Sequence, residues 1–385
     1  MSMYRPAWMT DELEAWRDSV RRFFQAEAAP NLSRWNAEGI IDRDFWRRAA
    51  EAGLICTTIP EEFGGIGASF LYEAIIYREQ ARAQLQGWGN PVHSSICAHY
   101  ILAYGTDEQK RRWLPDLCSG RKIAAIAMTE PGTGSDLKAL TTTATEDGAD
   151  YIINGQKLFI TNGQTADLII VAARTDKTRG TGGISLVVVE APAEGFRRGA
   201  NLAKLGQHHA DTSELFFHDV CVPKDNLLGG QPGNGFGQLM AQLPRERLIC
   251  AVIALGAMEA IIEITVDYVE QRKLFGGRLA DLQNTRFTLA ECHTEASIFE
   301  AFVDQCMAMQ AEGQLTNELA AMAKWWGSDR QFNIANRCLQ LFGGMGYMTE
   351  QRIAREFADA RAQMIYGGAN EILKEVVARG LVSRA

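Results

Sequence analysis

DLIIVAARTDKTRGTGGISLVVVE, residues 167–190, is the stretch whose reading decides the fold. Two short apolar runs rich in β-branched residues stand on either side of a polar, glycine-rich segment, which is the pattern of two strands and a turn. The runs AAIAM, YIING and KLFIT before it and ELFFHDVCV after it extend the same pattern from Ile123 to about Val222. Asp147-Gly148 and Asn154-Gly155 supply the turn pairs that hairpins require. A β domain over 123–232 is therefore expected.

Outward from this module the period changes to that of a helix. On the amino-terminal side, LEAWRDSVRRFF places Leu13, Trp16, Val20 and Phe23 or Phe24 on one face. A Thr106 to Gln109 capping box opens a later helix that Gly120 ends. On the carboxyl side, after the linker QPGNGFG (231–237), long helical segments are expected near 245–271, 279–311 and 316–342. The sum is an α+β chain with an N-terminal helical domain over 1–122, the β domain over 123–232 and a helix bundle over 233–385.

With 385 residues, the chain has length for two or three domains, 385/150 being about 2.6. Apolar residues at 46% against 22% charged, with only 10 Pro, describe a packed protein and exclude a disordered or fibrous one. A net charge of -8 with no long basic run argues against nucleic acid as a partner. The apolar stretch Leu248 to Met258 falls short of the ~20 residues that cross a bilayer, so no membrane span is expected. Asp11, Glu12 and Glu14, without an apolar h-region, argue against a signal or transit peptide. A cytoplasmic location of bacterial type follows, or a mitochondrial matrix one if a presequence has been removed. The eight Cys form no CxxC and the six His no HExxH, so reduced, buried thiols and no metal are expected.

Four segments bear on chemistry. AMTEPGTGSDL (127–137) leaves a strand and turns at Pro131-Gly132, exposing backbone N–H groups with Thr129, Thr133 and Ser135; by composition alone it is also an ordinary turn. KLFITNG (157–163) puts Phe159 and Thr161 on one side of a strand, suited to a planar heterocycle or to packing in the β core. EQRKLFGGRLADLQ sets Arg272, Phe275, Leu279 and Gln283 after a long helix, where Arg can grip a pyrophosphate or sit on a solvated helix end. LFGGMGY (341–347) allows close backbone approach at Gly343, Gly344 and Gly346, or ends a helix. No strand-GxGxxG-helix context supports a nicotinamide site.

Taken together, TEPGTGSD at 129–136, FITNG at 159–163, RKLFG at 272–276 with Gln283, and QLFGGMGY at 340–347 resemble the acyl-CoA dehydrogenase family over practically the whole chain. The resemblance implies an N-terminal helical domain, a middle β-barrel and a C-terminal four-helix bundle. It also implies FAD bound where subunits meet in a dimer-of-dimers tetramer. Ile126, Met128, Thr129, Gly134, Ser135, Phe159, Ile160 and Thr161 would then face the flavin. Arg272, Phe275, Gln283, Gln340, Gly343, Gly344, Asn370 and Glu371 would serve the rest of the cofactor, partly from the neighbouring subunit. Ser135, Leu243, Arg247, Gly367 and Gly368 would face the acyl-CoA.

Desaturation between Cα and Cβ needs a base for the α-proton and a hydride acceptor. Most of the family carries a carboxylate in a Y-E-G-T segment, but here that segment reads Tyr366-Gly367-Gly368-Ala369. LPRERL (243–248) instead resembles the branch of long-chain and isovaleryl-CoA dehydrogenases, in which the base comes from the first helix of the bundle and falls at Glu246. On residue chemistry alone Glu246 is a surface acid between Arg245 and Arg247 near a helix start; the resemblance makes it the catalytic base, with Glu371 in reserve. Pro244 would open or kink that helix. A helix dipole or Arg247 would lower the carboxyl pKa and desolvation would raise it, a balance the sequence leaves open. The Gly367 N–H, with the flavin ribityl 2'-hydroxyl, would hold the thioester oxygen.

The resulting expectation is FAD-dependent dehydrogenation of a medium to long or branched acyl-CoA, with electrons passed to an electron-transfer flavoprotein. An oxidase or flavin monooxygenase on the same fold, and a flavin-free scaffold, are the alternatives. Where relatives often carry Arg, GQHHADTSELFF (206–217) has His208 and His209, expected on a surface loop. Val92, Ser94, Ser95, Ala251 and Gly256 are candidates for setting pocket depth.

Overall fold

A computed structural model describes residues 5–382; the first four residues of the segment read for a targeting signal lie outside them. The chain opens with helices α1 (Asp11–Phe23), α2 (Leu32–Glu38), α3 (Arg43–Glu51) and α4 (Phe70–Arg82). A π-helical stretch, Pro91–Ala98, runs on into α5 (His99–Tyr104), and α6 (Asp107–Cys118) follows. Their starts are encoded locally: Thr10 and Asp42 accept from the Leu13 and Phe45 amides, and both halves of the Thr106–Gln109 capping box form. Gly120, just past the α6 end, has φ +66° and turns the chain toward the sheet.

Strands β1 (Ala124–Ala127), β2 (Thr143–Asp147), β3 (Asp150–Thr161), β4 (Leu168–Arg174), β5 (Ile184–Glu190), β6 (Phe196–Asn201) and β7 (Thr212–Pro223) make one sheet. Its order is β1-β4-β2-β3-β7-β6, with β5 also on β4. The two runs of 167–190 pair antiparallel from Leu168 opposite Glu190 to Arg174 opposite Ile184. The sheet curls, but its end strands β1 and β6 are not hydrogen-bonded to each other, so the barrel expected from the resemblance stays open. Asp147-Gly148 lies at the β2–β3 hairpin, as read from the sequence. Asn154-Gly155 does not turn the chain: it is a register irregularity inside β3, where a Cβ on Gly155 would stand 2.4 Å from Thr142 Oγ1.

Helices return with α7 (Gly235–Gln271), α8 (Gln283–Ala311), α9 (Asn317–Phe342), α10 (Arg352–Gln363) and α11 (Asn370–Leu381). A small hairpin, β8 (Lys273–Leu274) and β9 (Gly277–Arg278), joins α7 to α8. At 37 residues, α7 starts well before the segment anticipated near 245 and keeps Pro244 in its interior. It is long and apolar enough to cross a membrane, beyond the short run read from the sequence, yet most of its apolar window is buried in the protein. It packs on α4, α8 and α9, and Gly256 brings it so close to α4 that a Cβ there would stand 2.3 Å from the Arg78 carbonyl oxygen. Of the cysteines, Cys221 is exposed and Cys250 half-buried; the others are buried.

Candidate active site

The site grows from the face of α7 that carries Glu246. This residue lies more than ten positions inside the helix, about three turns from its N-terminus, so the dipole expected from a nearby helix start does not act on it. Nor is it a surface acid: it is 8% exposed, and its Oε1 accepts a hydrogen bond of 2.8 Å from the Tyr100 hydroxyl of α5. Burial pushes its pKa up to about 7, against the opposing pull of the Tyr100 hydrogen bond and the Arg247 charge. Desolvation therefore wins the balance that the sequence left open, and a carboxyl poised near neutrality suits proton transfer. Arg247 turns away and donates to Asn317 Oδ1 at 2.6 Å, at the start of α9.

One turn beyond Glu246 on the same face stands Cys250. Gly367 meets it with φ +66°, and a Cβ on Gly367 would approach Cys250 Sγ to 3.0 Å. The Tyr366-Gly367-Gly368 turn is thus drawn onto the Glu246 face of α7, at a position where a side chain is disfavoured twice, by conformation and by space. Fully buried Lys324 holds the turn from beneath, donating to the Gly368 carbonyl at 2.6 Å and to Asn370 Oδ1 at 3.1 Å. Asn370 is buried, its amide also donating to the Trp325 carbonyl, whereas Glu371 is exposed on the first turn of α11. Leu243, one turn before Glu246, is half-buried.

The segment from Ile126 to Ser135 leaves β1 beside β3. Ile126 is buried, Met128 and Thr129 half-buried, and Gly134 and Ser135 exposed; Thr133, expected to offer its hydroxyl, is buried. The Thr129 carbonyl accepts from the Leu158 amide at 2.8 Å, which ties this loop to the neighbourhood of Phe159, Ile160 and Thr161. Phe159 is 63% exposed at φ +60°, so it is not part of the β core, and a bulge between Lys157 and Ile160 interrupts the strict alternation of side chains. Beneath the loop, buried Lys157 donates to Glu130 Oε1 at 2.9 Å and to the Met128 carbonyl at 3.0 Å. Burial raises the Glu130 pKa, but hydrogen bonds from Thr141, Thr142 and Lys157 outweigh it and bring the value down to about 2.

Arg272, Phe275 and Gln283 are exposed at the far end of α7, with Phe275 93% exposed at φ +51°. Tyr268 stacks on Phe342 at 4.0 Å, which brings the exposed Gln340, Gly343 and Gly344 to the same end of the bundle. From Glu246 to Arg272 the helix rises about 40 Å, so within one protomer these residues do not join the Glu246 site. His208 is exposed, but His209 is buried: its Nε2 accepts from the Gly87 amide at 3.1 Å and its Nδ1 faces Asn36 Oδ1. The surface-loop reading fails for His209 because a histidine with both ring nitrogens engaged can be buried neutral.

A flavin fits the residues present. The Met128–Ser135 loop offers amides and hydroxyls, Phe159 offers an uncovered ring face, and Cβ atoms on Gly134, Gly343 or Gly344 would meet nothing within 4 Å. Tyr100, Lys324 and Lys157 escaped the sequence reading, since their partners lie 146, 44 and 27 residues away and no local pattern marks them.

Three family models match in chain order: the N-terminal, middle and C-terminal domains of acyl-CoA dehydrogenase, at residues 10–121, 125–220 and 233–382. The mitochondrial long-chain specific acyl-CoA dehydrogenase of Mus musculus is 45% identical over 376 residues, covering 97% of this chain and 87% of that protein. The mitochondrial isovaleryl-CoA dehydrogenase of Solanum tuberosum is 32% identical over 374 residues, covering 96% and 90%. The crystal structure of an acyl-CoA dehydrogenase from Geobacillus kaustophilus superposes with a TM-score of 0.96 at 43% identity, covering 98% of this chain and all of that one. With three domain models matched in order and 45% identity over 97% of its length to a long-chain acyl-CoA dehydrogenase, the chain belongs to the acyl-CoA dehydrogenase family and is an oxidoreductase of that class.

Proposed function

We propose that the chain converts an acyl-CoA thioester to its trans-2-enoyl-CoA with FAD bound and Glu246 as the base. The observation that carries this reading is the buried Glu246 carboxyl, hydrogen-bonded to Tyr100 and set on the same face of α7 as the Gly367 turn. When bound, FAD supplies the acceptor for the β-hydride. Met128, Thr129, Gly134, Ser135, Phe159, Ile160 and Thr161 would hold its ring system. Arg272, Phe275, Gln283, Gln340, Gly343 and Gly344 would hold the dinucleotide of a neighbouring copy in a dimer-of-dimers tetramer, which accounts for their distance from Glu246 in one protomer.

Glu246 in its ionised form takes the α-proton, and the resulting charge spreads onto the thioester oxygen. The Gly367 N–H stabilises that oxygen, while Lys324 keeps the turn in place. Tyr100 donates to the ionised carboxylate and orients it. Ser135, Leu243, Arg247 and Gly368 line the acyl-CoA path. Electron-transfer flavoprotein as acceptor, a cytoplasmic location and domain limits at 122/123 and 232/233 belong to the same proposal; the limits are supported by the change from helix to strand after α6 and back at α7.

The test is anaerobic titration of the Glu246→Gln holoenzyme with a panel of acyl-CoA thioesters, beside Glu371→Gln. The expected result is bleaching of flavin absorbance in the wild type and Glu371→Gln, and none in Glu246→Gln. Full bleaching in Glu246→Gln removes that residue from the mechanism.

A further inference from the structure

Arg245 leaves α7 in a direction about 100° from that of Glu246 and forms a buried ion pair with Glu73 of α4, the two residues being 8% and 1% exposed. Its guanidinium lies 4.9 Å from the centre of the Phe70 ring, and Nη2 also donates to Thr58 Oγ1 at 3.3 Å. Tyr77 donates to Glu73 Oε1 at 3.3 Å and shares a 2.7 Å hydrogen bond with Ser95 of the π-helical stretch. His99 stands beside this group; burial and the Arg245 charge hold its pKa down to about 3, so its ring is neutral.

Two atoms in this group are orphaned. Arg245 Nε and His99 Nδ1 are buried and have no partner among the described residues. Ion pairs sunk between apolar helices are no more stabilising than well-packed hydrophobes of similar volume, and orphaned polar atoms subtract further. A wall built only to receive a saturated alkyl chain gains nothing from either. Both orphans adjoin the reacting centre in sequence: Arg245 precedes the base, and His99 precedes the tyrosine that touches it. Between Val92 and Tyr100 the partly exposed residues are Val92, Ile96 and His99, which form one stripe at helical spacing.

We infer that Arg245 and His99 form a polar subsite beside the base for an acyl-CoA whose chain carries a hydroxyl or keto oxygen. The inference rests on the function proposed above and names the substrate class it serves. Glu73 cancels the charge of Arg245 and His99 is neutral, so the subsite suits a neutral oxygen and disfavours a second carboxylate. The Arg245 Nε–H can donate to that oxygen, and His99 Nδ1 can donate or accept according to tautomer.

The experiment compares octanoyl-CoA with octanoyl-CoA hydroxylated at successive carbons of the distal half of the chain, using the FAD-loaded enzyme and an artificial electron acceptor. At least one hydroxylated isomer should exceed octanoyl-CoA in kcat/KM by about tenfold, the scale of one well-made hydrogen bond. His99→Leu, and separately the double change Glu73→Leu with Arg245→Met, should bring that ratio close to one. The double change replaces the whole pair with apolar groups, so no lone buried charge remains to unfold the variant. A wild-type preference for octanoyl-CoA over every isomer, or a ratio unmoved in both variants, overturns the inference. Calorimetric binding of the same thioesters keeps the two proposals apart. If neither thioester is oxidised, the dehydrogenation reading fails, and tighter binding of a hydroxylated isomer still supports the subsite whereas equal or weaker binding overturns it.

Discussion

Replacing Tyr100 by Phe removes the hydroxyl that donates to Glu246 Oε1 at 2.8 Å and leaves the ring in place. A hydrogen bond to a buried charged group contributes about 1.5–3 kcal/mol, equivalent to about 1–2 pKa units. The bond favours the ionised carboxylate, so its loss raises a pKa that already stands at about 7. With the acidic limb moved to about 8–9, the ionised fraction at neutral pH falls from about one half to between about a tenth and a hundredth. The rate at pH 7 should therefore drop about five- to fiftyfold, and most of it should return at high pH. The assay is kcat/KM against pH with one acyl-CoA and an artificial acceptor, for wild type and Tyr100→Phe side by side. A uniform loss at every pH, with the limb unmoved, would refute the role given to Tyr100.

Stability offers two independent checks. Both oxygens of buried Asp304 in α8 lack partners among the described residues, and burial, with Glu300 and Glu259 adding to it against Arg78, raises its pKa to about 7. An acid with a raised folded-state pKa binds its proton more tightly in the folded chain, so stability is greatest below the unfolded value near 4 and falls as pH rises through 7. Asp304→Asn should therefore gain on the order of 3 kcal/mol at pH 8 and almost nothing at pH 4 in denaturant titrations; equal gains at both would contradict the assignment. Lys157→Met leaves Glu130 buried without its cation and should cost about 3–5 kcal/mol, whereas adding Glu130→Gln should recover part of the loss. A single change costing under about 1 kcal/mol would show that the pair does not hold the Met128–Ser135 loop.

How much was legible divides along physical lines. Caps and hairpins are local, so Thr106, Gln109, Gly120 and Asp147-Gly148 announced their structures. Asn154-Gly155 has the same local chemistry as a hairpin turn, but the pairing of β3 with β7 runs on past it, and long-range register decided the outcome. Glu246 illustrates the limit at the site. Its neighbours Arg245 and Arg247 make it look like a solvated acid, and its burial depends on α4, α5 and α9 closing over α7. Only the resemblance carried by LPRERL and by the glycine at 367 pointed inward. His209 and Lys157 were unreadable for a similar reason: a polar side chain enters a core when partners far along the chain complete its hydrogen bonds.

The most direct test of the account uses an acyl-CoA thioester in which sulfur replaces the β-carbon, so that the α-proton can leave but no β-hydride can follow. Exchange of the α-proton with deuterated solvent is then followed by NMR on the FAD-loaded enzyme. Wild type and Glu371→Gln should catalyse exchange, with the wild-type rate rising through a pKa near 7, and Glu246→Gln should not. Exchange by Glu246→Gln at the wild-type rate would contradict the claim that this carboxyl is the base.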